Sequence, residues 1–413
     1  MNTYKINNGV NLHIINTKKY KDLSIFINFY CATDKKERIC RALLTNIIGN
    51  KSKKYSSKQA ITNKKDYLFG TSLNLNNITV GEGHIFQVYS KILNEKFTLE
   101  PTNNEFLDFI NEIIQNPIID ENILNEAKTV LKSRCLRKID SPTSYSMSRV
   151  FQIYGKDTFI ENLSISNIDD IDKITLDDVI NAFNSMIRND YIDIYVLGDL
   201  DETKIYDYFK KLDYLSNERK SINKNIMEVN PDLNEYYYEE EKNITQSSLI
   251  LTYKTNILKR SDEFFSLRVA NALLGLVPGS MLFQEVREKN SLCYSINSSI
   301  LGEEGMLVIK TLIDSNNSEK TIELIKKQVN KIKNGEFEMS TVEECLSLYI
   351  NMLNGISDDI VQTVSMLYAA NIDNRVCNLE EDIKLMNSVT KEQIISAFNK
   401  LELKLVYLLK EVK

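Results

Sequence analysis

Apolar and polar positions along this chain repeat at helical spacing in some segments and alternate in others. Residues 174–184 and 389–399 each have a threonine at the second position, which is followed three positions later by Asp178 or Gln393, and each continues with an apolar stripe at helical spacing. This arrangement predicts two amphipathic helices that start with a capping box. Runs rich in β-branched and aromatic residues follow at 191–197 and 403–409, and they predict a strand after each helix.

A second pair of segments matches in the same order. Residues 68–75 and 85–89 are strand-like and flank the Gly81-Glu-Gly83 turn, and residues 292–299 and 306–309 flank a Gly-Glu-Glu-Gly turn at 302–305. Glycine between two such runs predicts a hairpin. Because two independent matches recur in register, we interpret the chain as two similar halves rather than as an accidental repeat.

The repeat predicts an α+β fold of two homologous lobes, each an antiparallel β-sheet packed against helices. At 413 residues the chain is also too long for a single core. We predict domains at 1–212 and 244–413, joined by a linker at 213–243. The stretch Tyr-Tyr-Tyr-Glu-Glu-Glu-Lys at 236–242 is interpreted as the polar edge of that linker.

Composition narrows the class of protein. With 43% hydrophobic and 26% charged residues, the chain has the balance of a soluble globular protein. A net charge of -6 does not favour a nucleic-acid partner, and no apolar run reaches the roughly 20 residues that a membrane span needs. There is no signal-peptide pattern, and the six scattered cysteines form no C-x-x-C motif. We therefore expect a cytoplasmic protein with reduced thiols.

One motif carries a resemblance to a known family. Residues 282–295 read Leu-Phe-Gln-Glu-Val-Arg-Glu-Lys-Asn-Ser-Leu-Cys-Tyr-Ser. This resembles the C-terminal-domain signature of the insulinase/pitrilysin/mitochondrial-processing-peptidase family of zinc peptidases. That family is also built from two similar halves, so the resemblance covers the whole chain and implies a processing-peptidase-like metallohydrolase fold. Within the family, the chain resembles bacterial YfmF-type proteins, which are non-catalytic partners of a zinc-bearing YfmH-type subunit.

The family's catalytic motif, H-x-x-E-H on the first long helix, is missing. Aligning the apolar positions of residues 38–48 with that helix places Ala42, Thr45 and Asn46 where the two histidines and the glutamate would be. The third zinc ligand of the family is the second glutamate of an E-x6-E pair. Here the pair begins at Glu126 and the ligand position is Ser133. The resemblance therefore implies a degenerate zinc site without metal or cofactor.

Helical geometry supports the alignment of Ala42, Thr45 and Asn46 with the family's motif. Spacing places them on one side of the helix, opposite an apolar stripe. The chain has only two histidines, His13 and His84, and neither has a second histidine at ligand spacing. They do not favour a zinc site.

By resemblance, Arg287 and Tyr294 lie across the cleft from zinc and handle the substrate peptide. A guanidinium can bind peptide carbonyls, and a phenol can donate to an oxyanion. The alternative is an arginine paired with Glu288 or Glu285 and a tyrosine in a strand core. A lysine-rich stretch after the first helix could attract acidic peptides, but a solvated loop is favoured over that role. Its members are Lys51, Lys53, Lys54, Lys58, Lys64 and Lys65.

These patterns lead to one reading of function. We expect a catalytically inactive, substrate-handling subunit of a heterodimeric zinc metallopeptidase, with zinc present only in an H-x-x-E-H-bearing partner. Its ligand would be a peptide or unfolded polypeptide. The alternatives are a non-proteolytic peptide-binding or scaffolding protein, for example a homodimer, and an auxiliary factor in a modification or maturation pathway. Co-purification with a zinc-containing homologue would separate the first reading from the second.

Overall fold

The computed structural model describes residues 1–219, 235–356 and 358–412. They form two compact units. The first comprises Met1–Arg137 and the described part of Ser166–Asn223, and the second comprises Lys138–Ile165 and the described part of Lys224–Lys413. The centre of the linker predicted at 213–243 lies outside the described residues, and the domain boundaries at 212 and 244 stay a prediction.

The first half of the chain up to residue 219 alternates between strands and helices. In chain order its elements are β1 (Asn2–Asn7), β2 (Val10–Asn16), β3 (Asp22–Ala32), α1 (Lys35–Ile47), α2 (Lys58–Tyr67), β4 (Ser72–Val80), β5 (Gly83–Leu93), α3 (Asn103–Gln115), α4 (Glu121–Asp140), α5 (Pro142–Tyr154), α6 (Ile168–Asp172), α7 (Leu176–Asn189), β6 (Tyr191–Gly198) and α8 (Glu202–Lys210).

The six strands of the first unit form one sheet in the order β1-β2-β6-β3-β5-β4. Neighbouring strands are antiparallel except for β2 and β6, which are parallel. Helices α1 and α7 contact each other, and α1 also contacts β4 and β5. The predicted hairpin around Gly81 is the β4–β5 pair. This sheet therefore supports α1, the helix on which the family resemblance places the zinc motif.

The second half of the chain repeats this succession of elements. They are β7 (Tyr236–Lys242), β8 (Ser247–Lys254), α9 (Glu263–Asn271), two π-helical segments named π1 (Ala272–Leu276) and π2 (Phe283–Lys289), β9 (Cys293–Leu301), β10 (Met306–Ile313), α10 (Ser318–Lys333), α11 (Met339–Ile356), α12 (Ile360–Ile372), α13 (Leu379–Asn387), α14 (Lys391–Asn399) and β11 (Glu402–Glu411).

The second sheet has the order β7-β11-β8-β10-β9. Its β7–β11 pair is parallel and its other pairs are antiparallel. Strands β2, β6, β3, β5 and β4 of the first sheet are joined in the same order and with the same directions. The predicted α+β fold with two homologous lobes is thus confirmed. The sheets are not purely antiparallel, because β2 and β7 pair in parallel with β6 and β11. Each of these parallel pairs is joined by a long connection that contains most of the other elements of its half of the chain.

Both predicted capping boxes are present. The Thr175 hydroxyl accepts from the backbone N–H of Asp178 at 3.2 Å, and the Asp178 carboxylate accepts from the backbone N–H of Thr175 at 3.0 Å. At the start of α14, Thr390 and Gln393 make the equivalent bonds at 3.4 and 2.9 Å. The repeated sequence signal therefore marks the same local structure in the two units.

Helix α5 packs in the second unit, although it precedes the predicted linker in sequence. Its Val150 and Tyr154 are buried with Ile250 of β8 and Tyr407 of β11. Arg149 donates to the Glu240 carboxylate of β7 at 3.2 Å. The stretch interpreted as a polar linker edge is itself the strand β7. That interpretation was wrong, because parallel pairing with β11 outweighs the polar composition of the segment.

Candidate functional site

Helix α1 begins after Asp34, whose carboxylate accepts from the backbone N–H of Glu37 at 2.8 Å. Its apolar side is buried as spacing predicted, and it consists of Ile39, Cys40, Leu43, Leu44, Ile47 and Ile48. Ala42, Thr45 and Asn46 are half-buried and lie together on another side of the helix. The structure thus brings the three predicted positions together.

The polar groups at these positions bond to their own helix. The Thr45 hydroxyl donates to the Ala42 carbonyl at 2.8 Å. The Asn46 amide donates to the same carbonyl at 3.2 Å and to the Thr45 hydroxyl at 3.3 Å. Zinc in proteins takes imidazole, thiolate or carboxylate ligands. None of the three side chains is such a ligand, so they do not fit a zinc ion.

Ser133, at the predicted third-ligand position, is exposed on α4. Its hydroxyl donates to the Thr129 carbonyl one turn earlier at 2.9 Å. Glu126, the first residue of the proposed E-x6-E pair, is exposed as well and pairs with Lys58 at 2.6 Å. In the described part of the chain, no group of three or more His, Cys, Asp and Glu side chains could hold a metal ion.

The two histidines lie on different strands and opposite faces of the first sheet. His13 on β2 shares a face with Asp193, to which its Nε2 is bonded at 2.9 Å, and its Nδ1 lies 3.0 Å from the Thr3 hydroxyl. The Gln87 amide on β5 donates to Asn28, which lies on the same face of the sheet as Asp193. His84 is three positions before Gln87 on the same strand, so its side chain lies on the opposite face. Strands β2 and β5 have two strands between them, roughly 14 Å apart. The two imidazoles cannot share a metal ion.

His84 is neutral in this position. Burial and the nearby positive charges of Arg41 and Arg38 lower the pKa of His84 to about 3. Its Nδ1 has no hydrogen-bond partner in the described structure. A charged imidazole would therefore be costly here, and His84 is better explained as a core side chain beneath α1 than as an acid–base group.

Arg41, next to Ala42 on α1, is completely buried. It donates two hydrogen bonds to the carboxylate of Asp190, at 2.5 and 2.9 Å, and two to that of Glu37, at 3.1 and 2.9 Å. Asp190 follows α7, so the ion pair joins the two helices that contact each other. Sequence reasoning did not find this network, because spacing along the chain does not connect residues 41 and 190.

Arg287 and Tyr294 are neighbours in the second unit. Arg287 lies in π2, and its guanidinium is 5.5 Å from the ring centre of Tyr294 and 4.4 Å from that of Phe283. Tyr294, near the start of β9, is 85% exposed. Its exposure contradicts the alternative of a tyrosine in a strand core. The Arg287–Glu288 pair is long, at 3.5 Å, and Glu285 pairs with Lys289 instead.

Phe283 is a neighbour of Arg287 that sequence reasoning missed. It lies four positions before Arg287 and was already inside the quoted motif, so the signal was present as an aromatic and a cation one turn apart. The two rings flank the guanidinium and hold it by cation–π attraction. The arginine is thereby oriented, while its donors are not used by a close carboxylate.

Comparison with known proteins gives the class of this chain. Residues 173–349 match the family described as the peptidase M16 inactive domain. The "Probable inactive metalloprotease YmfF" of Bacillus subtilis (strain 168) is 27% identical over 413 residues, covering 97% of this chain and 96% of the relative. The predicted resemblance is confirmed: the chain is similar to inactive-type members of the M16 peptidases. The group name is YmfF rather than YfmF.

Solved structures agree on the fold. A conserved protein from Enterococcus faecalis V583 has a TM-score of 0.91 at 25% identity, covering 100% of this chain and 98% of that one. A protease from Helicobacter pylori has a TM-score of 0.82 at 14% identity, with 99% of each chain covered. The peptidase M16 inactive domain from Pseudomonas fluorescens has a TM-score of 0.79 at 17% identity, covering 100% and 98%. None of the helices in the described ranges is long and apolar enough to cross a membrane.

Proposed function

We propose that this chain is the non-catalytic, substrate-handling subunit of a two-subunit zinc metallopeptidase. Its partner is a homologue that carries H-x-x-E-H and the zinc ion, and this chain contributes Arg287 and Tyr294. The six free cysteines suit a reducing compartment and support a cytoplasmic location for the complex. The inactive-type homology supports the absence of catalysis by the chain alone.

The observation that carries this proposal is the solvent exposure of the Tyr294 side chain. A large aromatic side chain that is 85% exposed on a strand makes little contribution to the core. Its hydroxyl is therefore available to a ligand, and Arg287 lies over its ring. Both groups sit where a peptide can reach them without unfolding the strand.

The position of β9 also suits a peptide ligand. Within the described residues β9 is the last strand of its sheet and pairs only with β10. Tyr294, Ser295 and Asn297 of this strand are exposed, whereas Ile296 and Ser298 are buried. An edge strand can accept an extended chain through its backbone groups, while neighbouring side chains select the sequence.

The two side chains would have different tasks. The planar guanidinium of Arg287 can donate paired hydrogen bonds to peptide carbonyls before reaction. The phenol of Tyr294 can donate to the oxygen that becomes negative in a tetrahedral intermediate. The water-activating chemistry belongs to zinc in the partner.

Co-purification and metal analysis test the proposal. The chain alone should contain no stoichiometric zinc and cleave no peptide, since Ala42, Thr45, Asn46 and Ser133 offer no zinc ligand. A complex with the H-x-x-E-H homologue should contain one zinc per pair and be active. One tightly held zinc in the isolated chain would refute the proposal. A stable peptide-binding homodimer without any zinc-bearing partner would instead support the scaffolding alternative.

A further inference from the structure

The loop between α1 and α2 carries an excess of positive charge. Between residues 51 and 65 there are six lysines and no acidic residue. On α2, Lys58 pairs with Glu126 and Lys64 with Glu105. We call Lys51, Lys53 and Lys54 the lysine loop. Across residues 1–219, 235–356 and 358–412, none of the three has a carboxylate within 4.0 Å of its ammonium group.

The backbone of the lysine loop is firmly held. The N–H of Lys53 donates to the Asn116 carbonyl at 3.0 Å, and the Lys51 carbonyl accepts from Ile118 at 3.0 Å. The N–H of Lys54 donates to the Glu112 carboxylate at 2.8 Å. These bonds tie the loop to the end of α3 and the segment that follows. Because the backbone is already ordered, a ligand that binds the ammonium groups would not have to order it.

The loop starts beside the degenerate site on α1. Gly49 has a φ of 92°, a left-handed conformation that lets the chain turn away at the end of the helix. The Asn50 side chain then donates to the Asn46 carbonyl at 2.6 Å. The lysine loop is therefore anchored to the helix face that carries Ala42, Thr45 and Asn46.

We propose that the lysine loop binds acidic side chains of the substrate, so that the polypeptide handled by this subunit is an acidic one. This inference rests on the proposed peptide-handling function. The three lysines of the loop outnumber the Glu112 carboxylate that is bonded to its backbone, so the ordered loop has a local positive potential in a chain whose net charge is -6. Complementary carboxylates on a peptide would be attracted to the loop and would accept hydrogen bonds from the ammonium groups.

Fluorescence anisotropy on the full chain can test the proposal. The probes are three labelled peptides of equal length that alternate Ser and Gly with Glu, Gln or Lys. We expect the Glu peptide to bind best, and its affinity to fall on going from about 0.05 M to about 0.5 M salt because exposed charges are screened. The variant Lys51→Gln/Lys53→Gln/Lys54→Gln should bind the Glu peptide about 5- to 10-fold more weakly.

The matched control removes three lysines from α10, at Lys320, Lys327 and Lys331. Changing these to Gln lowers the net charge equally and should leave affinity for the Glu peptide within about twofold. Equal binding of the Glu and Gln peptides, or equal losses in the two triple variants, would overturn the inference while leaving peptide handling intact. If none of the peptides bound, with or without the partner subunit, the proposed function would fail as well.

Discussion

The two units each place an arginine close to a candidate site position, and the two arginines differ in every physical respect. Arg41 in the first unit is fully buried and donates to the carboxylates of both Asp190 and Glu37. Arg287 in the second unit is 36% exposed and lies between two aromatic rings, with only a long contact to Glu288. The first is held inside the fold by two carboxylates, whereas the second is partly exposed and has one long ion pair.

The same contrast applies to the other polar groups. The side chains of Thr45 and Asn46 in the first unit donate to the Ala42 carbonyl of their own helix. The Tyr294 side chain in the second unit is exposed instead. Polar groups that are satisfied locally support structure and offer little to a ligand. Of these groups, the exposed Tyr294 hydroxyl is the one that the proposed peptide handling uses.

The sheets show that the shared topology tolerates different interiors. In matching register positions, the first sheet carries a polar row of Asn11, Asp193, Asn28 and Gln87, of which Asn11 is half-buried and the other three are buried. The second sheet carries Tyr236, Leu405, Thr252 and Val308 there. Strand order follows from backbone pairing, so side chains on the same face can change if each unit satisfies its own buried groups.

The largest effect should come from breaking the Arg41 ion pair. Arg41→Ala leaves the buried Asp190 without its partner, and we expect the free energy of unfolding in urea to fall by about 3–5 kcal/mol. The double variant Arg41→Met/Asp190→Leu removes both charges and should recover much of that loss. Arg287→Ala is the matched control and should cost less than about 1 kcal/mol. Equal losses of unfolding free energy in Arg41→Ala and Arg287→Ala would contradict the proposed difference between the two arginines.

The next effect concerns turnover by the reconstituted complex. Tyr294→Phe removes only a hydroxyl from an exposed ring, so folding and pairing should remain intact. If the phenol donates to the oxyanion, kcat should fall roughly 10²–10³-fold. Arg287→Ala should raise KM as well as lower kcat, because its contacts form before the transition state.

Melting temperatures measured on the same samples provide the control for these two variants. A structural pair would lose activity only together with thermal stability, and the two losses would track each other. A fully active and normally stable Tyr294→Phe complex would leave the substrate-handling role without support.

A smaller effect is expected at the turn between β9 and β10. Burial, and then the charge of Glu303, raise the pKa of Glu304 from 4.5 to about 7. A carboxyl with a raised pKa in the folded state binds its proton more tightly there than in the unfolded chain. Its contribution to stability is therefore complete below about pH 4.5 and is lost as the pH rises through about 7.

Unfolding free energies of the wild type and Glu304→Gln across this pH window measure that contribution. Relative to the variant, the wild type should lose about 2 kcal/mol, less than the full linkage value because the carboxyl is partly accessible. Glu82→Gln, on the matching turn of the first unit, controls for the removal of a single carboxyl. Parallel curves for wild type and Glu304→Gln would contradict the assignment.

Several elements of the fold could be predicted from sequence. The capping boxes at Thr175 and Thr390 and the hairpins around Gly81 and Gly302 all appear in the structure. Each of these features is formed by residues only a few positions apart, so the local sequence is enough to predict it. Positions 42, 45 and 46 came from the resemblance to the family's zinc motif, and helical spacing supported it by putting all three on one side of α1.

Long-range partners could not be predicted in this way. Composition suggested a linker at β7, but pairing with β11, more than 160 residues later, makes it a strand. Helix α5 packs with the second sheet because its apolar side meets Ile250 and Tyr407 there. The burial of Arg41 and the exposure of Tyr294 likewise depend on which distant segments meet. Sequence by itself determined the local elements and the loss of zinc-ligand residue types, since hydrogen bonds within a turn act over a few residues. Only the tertiary structure decided which polar groups are buried and which can bind, because burial depends on neighbours far along the chain.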